Sequence, residues 1–154
     1  MNSETGHLTD GRFGHFSFLF VPRAGKRSYF EVMTPPLRFG IVHDFRCPPA
    51  SDITMPQVYA ETFEQIELAE SLGMELCWFT EHHFIEDGYL PNFVPVAAAA
   101  AAKTARIRFS TDICLLPFRH PVRLAEDLAI LDNISNGRME LGVGMGYATH
   151  EFRG

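Results

Sequence analysis

From Leu37 onward, short apolar runs alternate with longer stretches in which apolar residues recur at helical spacing. The run LRFGIVHDF reads as a strand and is closed by the polar, proline-rich turn RCPPASD. TMPQVYAETFEQIELAESLG then reads as a helix. Thr54 and Gln57 stand at capping-box spacing, Pro56 falls in the first turn, and Gly73 marks the stop. Tyr59, Phe63, Ile66, Ala69 and Leu72 recur as its expected buried face. MELCWFT is a second strand and FVPVAAAAAAKT a second helix, whose six alanines favour helix and allow close approach to a sheet. RIRFSTDICLLP gives a third strand ended by Pro117. HPVRLAEDLAILDNISNG gives a third helix with Pro121 at its start, Asn136-Gly137 at its end, and Leu124, Leu128, Leu131 and Ile134 as its buried face. RMELGVGMGY is a fourth strand running into glycines.

Strand and helix alternating every 30 to 35 residues or so imply an α/β fold of parallel strands joined by right-handed crossovers. That leaves a doubly wound sheet or a (β/α)8 TIM barrel. The barrel is favoured because the unusual residues lie just past the strand ends and no nucleotide-binding glycine turn follows the first strand. A barrel takes about 250 residues, whereas four units fill residues 37–147 here. The expectation is therefore the first four β/α units of a barrel over residues 33–154. Such a half barrel leaves sheet edges that must be covered.

Residues 1–32 break the pattern, mixing Gly, Ser, His and Arg around one apolar island, Phe16 to Val21. They are expected to be a disordered N-terminal extension preceding a start at Met33; the island is too short for a secretory segment. With 19 acidic against 13 basic residues, the net charge of −6 argues against a nucleic-acid or anionic-membrane surface. No apolar run approaches the roughly 18 residues of a membrane span. Cys47, Cys77 and Cys114 form no CxxC pair and read as free thiols of a cytoplasmic protein.

Against this background WFTEHHF stands out, because an apolar strand breaks into Glu81, His82 and His83. A polar strand end is one reading. A metal site is another, weakened because neighbours on an extended chain face opposite ways, so His82 would not join Glu81 and His83. The third is an acid/base histidine oriented by a carboxylate, since imidazole alone titrates near neutral pH. GVGMGY is not a dinucleotide fingerprint, because the glycine spacing fails and the motif follows the fourth strand. Its glycines read as a close approach of backbone to backbone or to a flat ligand. Asp112 is expected to be buried in an apolar strand, facing the barrel mouth with a hydrogen-bond donor. Arg123 and Glu126 read as a surface ion pair, and Cys114 as a small core residue.

Taken together, LRFGIVHDF, WFTEHHF, STDICLLPFRHPVRLAEDLAILDNISNGRMELGVGMGY and HEFRG resemble the bacterial-luciferase-like monooxygenase family, in this order and spacing, from about Leu37 to Gly154. The resemblance implies a (β/α)8 barrel binding reduced FMN, supplied by a separate flavin reductase, and using O2 to oxygenate a small organic substrate. A deazaflavin-dependent reductase or dehydrogenase of the same fold is the alternative, and a non-catalytic luciferase-like subunit a further one; a homo- or heterodimer is compatible with each. Carried over by motif, His82 is the candidate acid/base. Glu81 and His83 support the pocket, and Thr111, Asp112, Ile113, Gly144 and Met145 lie where the cofactor is held. The resemblance also implies a non-prolyl cis peptide at Asp112–Ile113. Met145 departs from the pattern, since relatives often place there a basic residue that helps hold the cofactor phosphate. Much of the phosphate site lies beyond the fourth strand in the family, so this chain alone is expected to be inactive.

Overall fold

A computed structural model describes the strands Gly6–Asp10 and Phe13–Phe18 and residues 37–153. In chain order the elements are β1 (Gly6–Asp10), β2 (Phe13–Phe18), β3 (Gly40–His43), α1 (Met55–Ser71), β4 (Leu76–Phe79), α2 (Phe93–Lys103), β5 (Arg108–Thr111), β6 (Cys114–Leu115), α3 (Pro121–Ser135) and β7 (Val143–Gly144). Single 3-10 turns cover Leu116–Phe118 and Glu151–Arg153.

Strands β3, β4 and β5 are parallel, with Gly40 opposite Leu76 and Leu76 opposite Arg108. A parallel pair cannot be joined by a tight turn, so α1 and α2 make the crossovers. The row Ile41, Cys77, Phe109 faces the helices and packs with Val58 and Ile66 of α1, Ala97 and Ala100 of α2, and Leu124 and Leu131 of α3. Phe79 stacks on Phe109 at 6.0 Å. Beyond β5 the third predicted strand bends at Asp112 and resumes as β6, which pairs with β7. The fourth predicted strand is shorter than its apolar pattern suggests: β7, plus one bridge between Met139 and Phe109.

The helices start and stop where their sequence signals lie. The Thr54 backbone N–H donates to the Gln57 side chain at 2.8 Å, and the Asn92 side chain accepts from the Val94 N–H. Gly73 and Gly137 take left-handed φ values of 84° and 75°, which cost glycine nothing. Two expected faces are corrected. On α1 the fully buried residues are Val58, Thr62, Ile66 and Ala69; Tyr59 and Phe63 flank them half-buried, and Leu72 is 69% exposed at the C-cap. On α3 Ile134 is exposed rather than buried, because the helix contacts the core through Leu124 and Leu131.

Within the segment expected to lack order, β1 and β2 form an antiparallel hairpin whose second strand meets β3 at Ser17–Val42. The outer edge of β3 carries backbone groups that need partners, which is a physical reason for a strand to add there. Residues 1–5, 11–12 and 19–36 of the expected extension and start lie outside the described residues.

At the N-terminal ends of the parallel strands the polar groups are closely matched. The buried Arg138 guanidinium donates to the carbonyls of Ser135, Ile107, Ala101 and Thr104 and to the Thr104 hydroxyl. Glu70 accepts backbone N–H bonds from Ala105, Arg106 and Ile107. Burial pushes its carboxyl up, but those three N–H donors outweigh burial and leave it below the usual range.

Candidate active site at the C-terminal ends of the strands

The opposite ends of the strands collect the chemically active side chains. The loops there are tied to one another before any side chain is placed. Thr80 N–H donates to His43 O at 3.2 Å, Leu90 N–H to Asp44 O at 3.0 Å, and His82 N–H to Leu90 O at 3.1 Å. These bonds fix where the chain leaves β4, and so where Glu81, His82 and His83 point.

Glu81 turns inward and is buried. Its Oε1 lies 2.9 Å from His83 Nε2, and its Oε2 lies 2.9 Å from Arg119 Nη2. The second contact is an ion pair without hydrogen-bond alignment, and Glu81 Oε2 and Arg119 Nε have no hydrogen-bond partner among the described residues. Arg119 also donates to Asn92 and lies over the Phe93 ring at 5.6 Å. Cys114 sits beside this pair; burial first, then the Glu81 charge, push its thiol up to about 11. It is a buried, unreactive thiol.

His82 faces the other way, with 24% of its side chain exposed. Its Nδ1 lies 2.9 Å from Glu151 Oε1, and its ring meets Tyr89 edge-on at 4.5 Å. Glu151 is 1% exposed and its same oxygen accepts the His83 backbone N–H at 3.0 Å. Burial raises the Glu151 carboxyl, but the His83 N–H, the His82 hydrogen bond and the nearby histidine charges together bring it below the usual range. Thus Glu81 and His83 do lie together with His82 apart, as strand alternation suggests, but that reading is incomplete. The two histidines are held by two different carboxylates, and Glu151 received no role from sequence. The signal available was HEFRG, a quoted motif whose acid lies 69 positions from His82.

The remaining candidates divide into wall and surface. The Thr111 hydroxyl donates to Gly142 O at 2.6 Å and accepts Gly142 N–H at 3.0 Å, standing in for the ladder bonds lost where β5 bends. The Asp112–Ile113 bond is cis. Asp112 is exposed at the bend, not buried as the apolar run suggested. A Cβ on Gly144 would collide with the Ile113 side chain, so that glycine makes room for a neighbouring residue. Ile113, Met145 and Tyr147 expose apolar surface at these strand ends, and Tyr147 meets the His82 ring edge-on at 6.2 Å. Phe45 and Phe84 take left-handed φ values of 59° and 58°, unusual for bulky residues. His43, buried at the end of β3, has an unpartnered Nε2, and burial lowers its pKa to about 4.

Residues 37–154 match the family described as luciferase-like monooxygenase. The chain belongs to that family. Among its relatives, the oxygenase component of a flavin-dependent trigonelline monooxygenase from Acinetobacter baylyi is 36% identical over 99 residues, covering 64% of this chain and 28% of the relative. Solved structures are similar as well, among them the following three. Monooxygenase RslO1 from Streptomyces bottropensis superposes with a TM-score of 0.66 at 41% identity, over 71% of this chain and 33% of that one. The oxygenating constituent of 3,6-diketocamphane monooxygenase from Pseudomonas putida, solved with FMN, gives 0.65 at 29% identity, over 72% and 30%. The coenzyme F420-dependent tetrahydromethanopterin reductase from Methanopyrus kandleri gives 0.58 at 26% identity, over 74% and 28%. The chain therefore spans about a quarter to a third of the length of these relatives. Among the described residues, no helix is long and apolar enough to cross a membrane.

Proposed function

We propose that this chain supplies the first four β/α units of a barrel that binds reduced FMN and oxygenates a small organic substrate with O2. The observation that carries this reading is His82, open to the barrel mouth on one side and held on the other by a carboxylate that is itself buried. The oxygenase-component relative and the FMN-bound neighbour support the cofactor and a separate flavin reductase as the source of its electrons.

The residues present suit the flavin ring better than its phosphate. Ile113 and Met145 offer exposed apolar surface for a flat ring, with Asp112 beside them. Thr111 and Gly144 shape the wall through Gly142 and Ile113, and Glu81 and His83 brace it from inside. Met145 brings no charge, so other residues hold the phosphate. When bound, reduced flavin supplies the electron pair that activates O2. The chain's own part is to exclude water with its apolar wall and to hold or release one proton at the His82 ring.

Two measurements test this on the intact protein. Reduced FMN should quench its fluorescence on titration, and O2 uptake should follow. His82→Ala should lower turnover about 10²- to 10⁴-fold, the usual share of general acid–base catalysis, with FMN affinity kept. Unchanged turnover would remove His82 from the mechanism. The similarity to the F420-dependent reductase favours a second reading, hydride transfer with a deazaflavin, marked by deazaflavin binding without O2 uptake. Failure to bind either cofactor would point to a non-catalytic subunit.

A further inference from the structure

Glu151 closes the loop after β7 onto the loop after β4. It starts the 3-10 turn Glu151–Arg153 and its carboxylate reaches back to two consecutive residues, His82 and His83. Both contacts fall on one oxygen, Oε1, at 2.9 Å and 3.0 Å. The second of these donors is a backbone N–H, whose direction is not negotiable. Oε1 is therefore an acceptor already, and the imidazole that shares it completes the arrangement by donating. The other oxygen, Oε2, is buried with no partner among the described residues, so a proton placed there would be an unsatisfied buried donor.

We propose that Glu151 is a positioning residue that fixes His82 in the tautomer with the proton on Nδ1, leaving Nε2 as the unprotonated nitrogen at the barrel mouth. This rests on the reading of His82 as the proton-handling group and assigns the ring atom that does the work. A carboxylate bound to one imidazole nitrogen sets which nitrogen carries the proton, and it makes the other a better acceptor. Neutral histidine side chains in water prefer the opposite tautomer, so the assignment has a spectroscopic consequence. The Tyr89 ring, edge-on to His82 at 4.5 Å, limits rotation of the imidazole away from Glu151. His83 is not an equivalent partner, because its ring nitrogen bonds Glu81 and only its backbone reaches Glu151.

The test is nitrogen NMR on the full chain labelled with 15N-histidine, at a pH where His82 is neutral, with the His82 signals identified by their loss in His82→Asn. The expected result is a pyrrole-type Nδ1 and a pyridine-type Nε2. Glu151→Gln should keep that pattern, because its amide oxygen still accepts. Glu151→Ala should move Nε2 toward the pyrrole-type region while the remaining histidine signals stay in place. A pyridine-type Nδ1 in the unsubstituted chain would overturn the proposal whether or not either variant folds. So would an unshifted His82 pattern in folded Glu151→Ala. If the tautomer follows Glu151 but His82→Ala leaves turnover intact, the positioning holds and the catalytic role of His82 is what fails.

Discussion

At the N-terminal ends of the parallel strands, the buried Arg138 meets four carbonyls and a hydroxyl, and ion pairs Arg38–Glu75 and Arg108–Glu140 join adjacent strands. At the C-terminal ends, His43 Nε2, Glu81 Oε2, Arg119 Nε and Glu151 Oε2 are buried without a hydrogen-bond partner among the described residues. The turns differ in the same sense. Left-handed positions at the first end are taken only by residues that tolerate them, Gly73, Asn136 and Gly137 among the described residues, whereas at the second Phe45 and Phe84 take them at a cost alongside Gly88 and Gly146. One end is built for stability; the other keeps polar capacity and strained backbone in reserve, as sites that bind something commonly do. Barrel enzymes divide their two faces in the same way.

The contrast can be broken most severely at the stable end. Arg138→Ala strips its donors from four carbonyls and a hydroxyl and should cost about 3–5 kcal/mol in urea unfolding, since each buried acceptor left unpaired costs about 1–3 kcal/mol. A loss below about 1 kcal/mol would mean that water satisfies those carbonyls and that the two ends are alike.

A somewhat smaller effect belongs to His43 at the other end. Its folded pKa of about 4 lies below the ordinary histidine value of 6.5, so between those values the unfolded chain binds a proton that the folded chain does not. Stability should therefore be complete above about pH 6.5 and fall as the pH drops toward 4, by at most about 3 kcal/mol, at roughly 1.4 kcal/mol per pK unit. His43→Leu should flatten that part of a pH–stability curve; an unchanged slope would assign it to other groups. Glu151 adds to the acid loss at lower pH, since a carboxyl held below its usual range loses its stabilising charge as the pH falls through its folded value.

The mildest test is Phe84→Asn. Phe84 is 68% exposed and left-handed, so asparagine should raise the melting point, corresponding to about 0.5–1 kcal/mol. A decrease would show that the Phe84 ring, 6.2 Å from His83, is part of the packing at the mouth.

Much of the framework was legible in the chain because its signals are local. The apolar period, Pro56, Pro121, Gly73 and Asn136-Gly137 delimit α1 and α3 within a few neighbouring residues, and the alanine run announces α2. The faces of α1 and α3 were less legible, because which stripe is buried depends on what the sheet presents to it. The candidate site was legible in kind but not in wiring. EHH marked the place and strand alternation set Glu81 and His83 apart from His82, yet nothing in adjacent residues reveals that Arg119 joins Glu81 or that Glu151 serves His82. Similarly, Asp112 looked buried because it lies in an apolar run, but the bend between β5 and β6 turns it out to solvent.

Periodicity and turn chemistry thus suffice to say that this is an α/β chain with parallel strands and reactive side chains just past their ends, since each of those facts is decided within one turn of helix or one strand. Which carboxylate holds His82, and why Gly144 must lack a side chain, depend on contacts 69 and 31 positions apart, Glu151 with His82 and Gly144 with Ile113. Those contacts exist only once the strands lie side by side, because parallel pairing is what brings the end of one unit against the end of another.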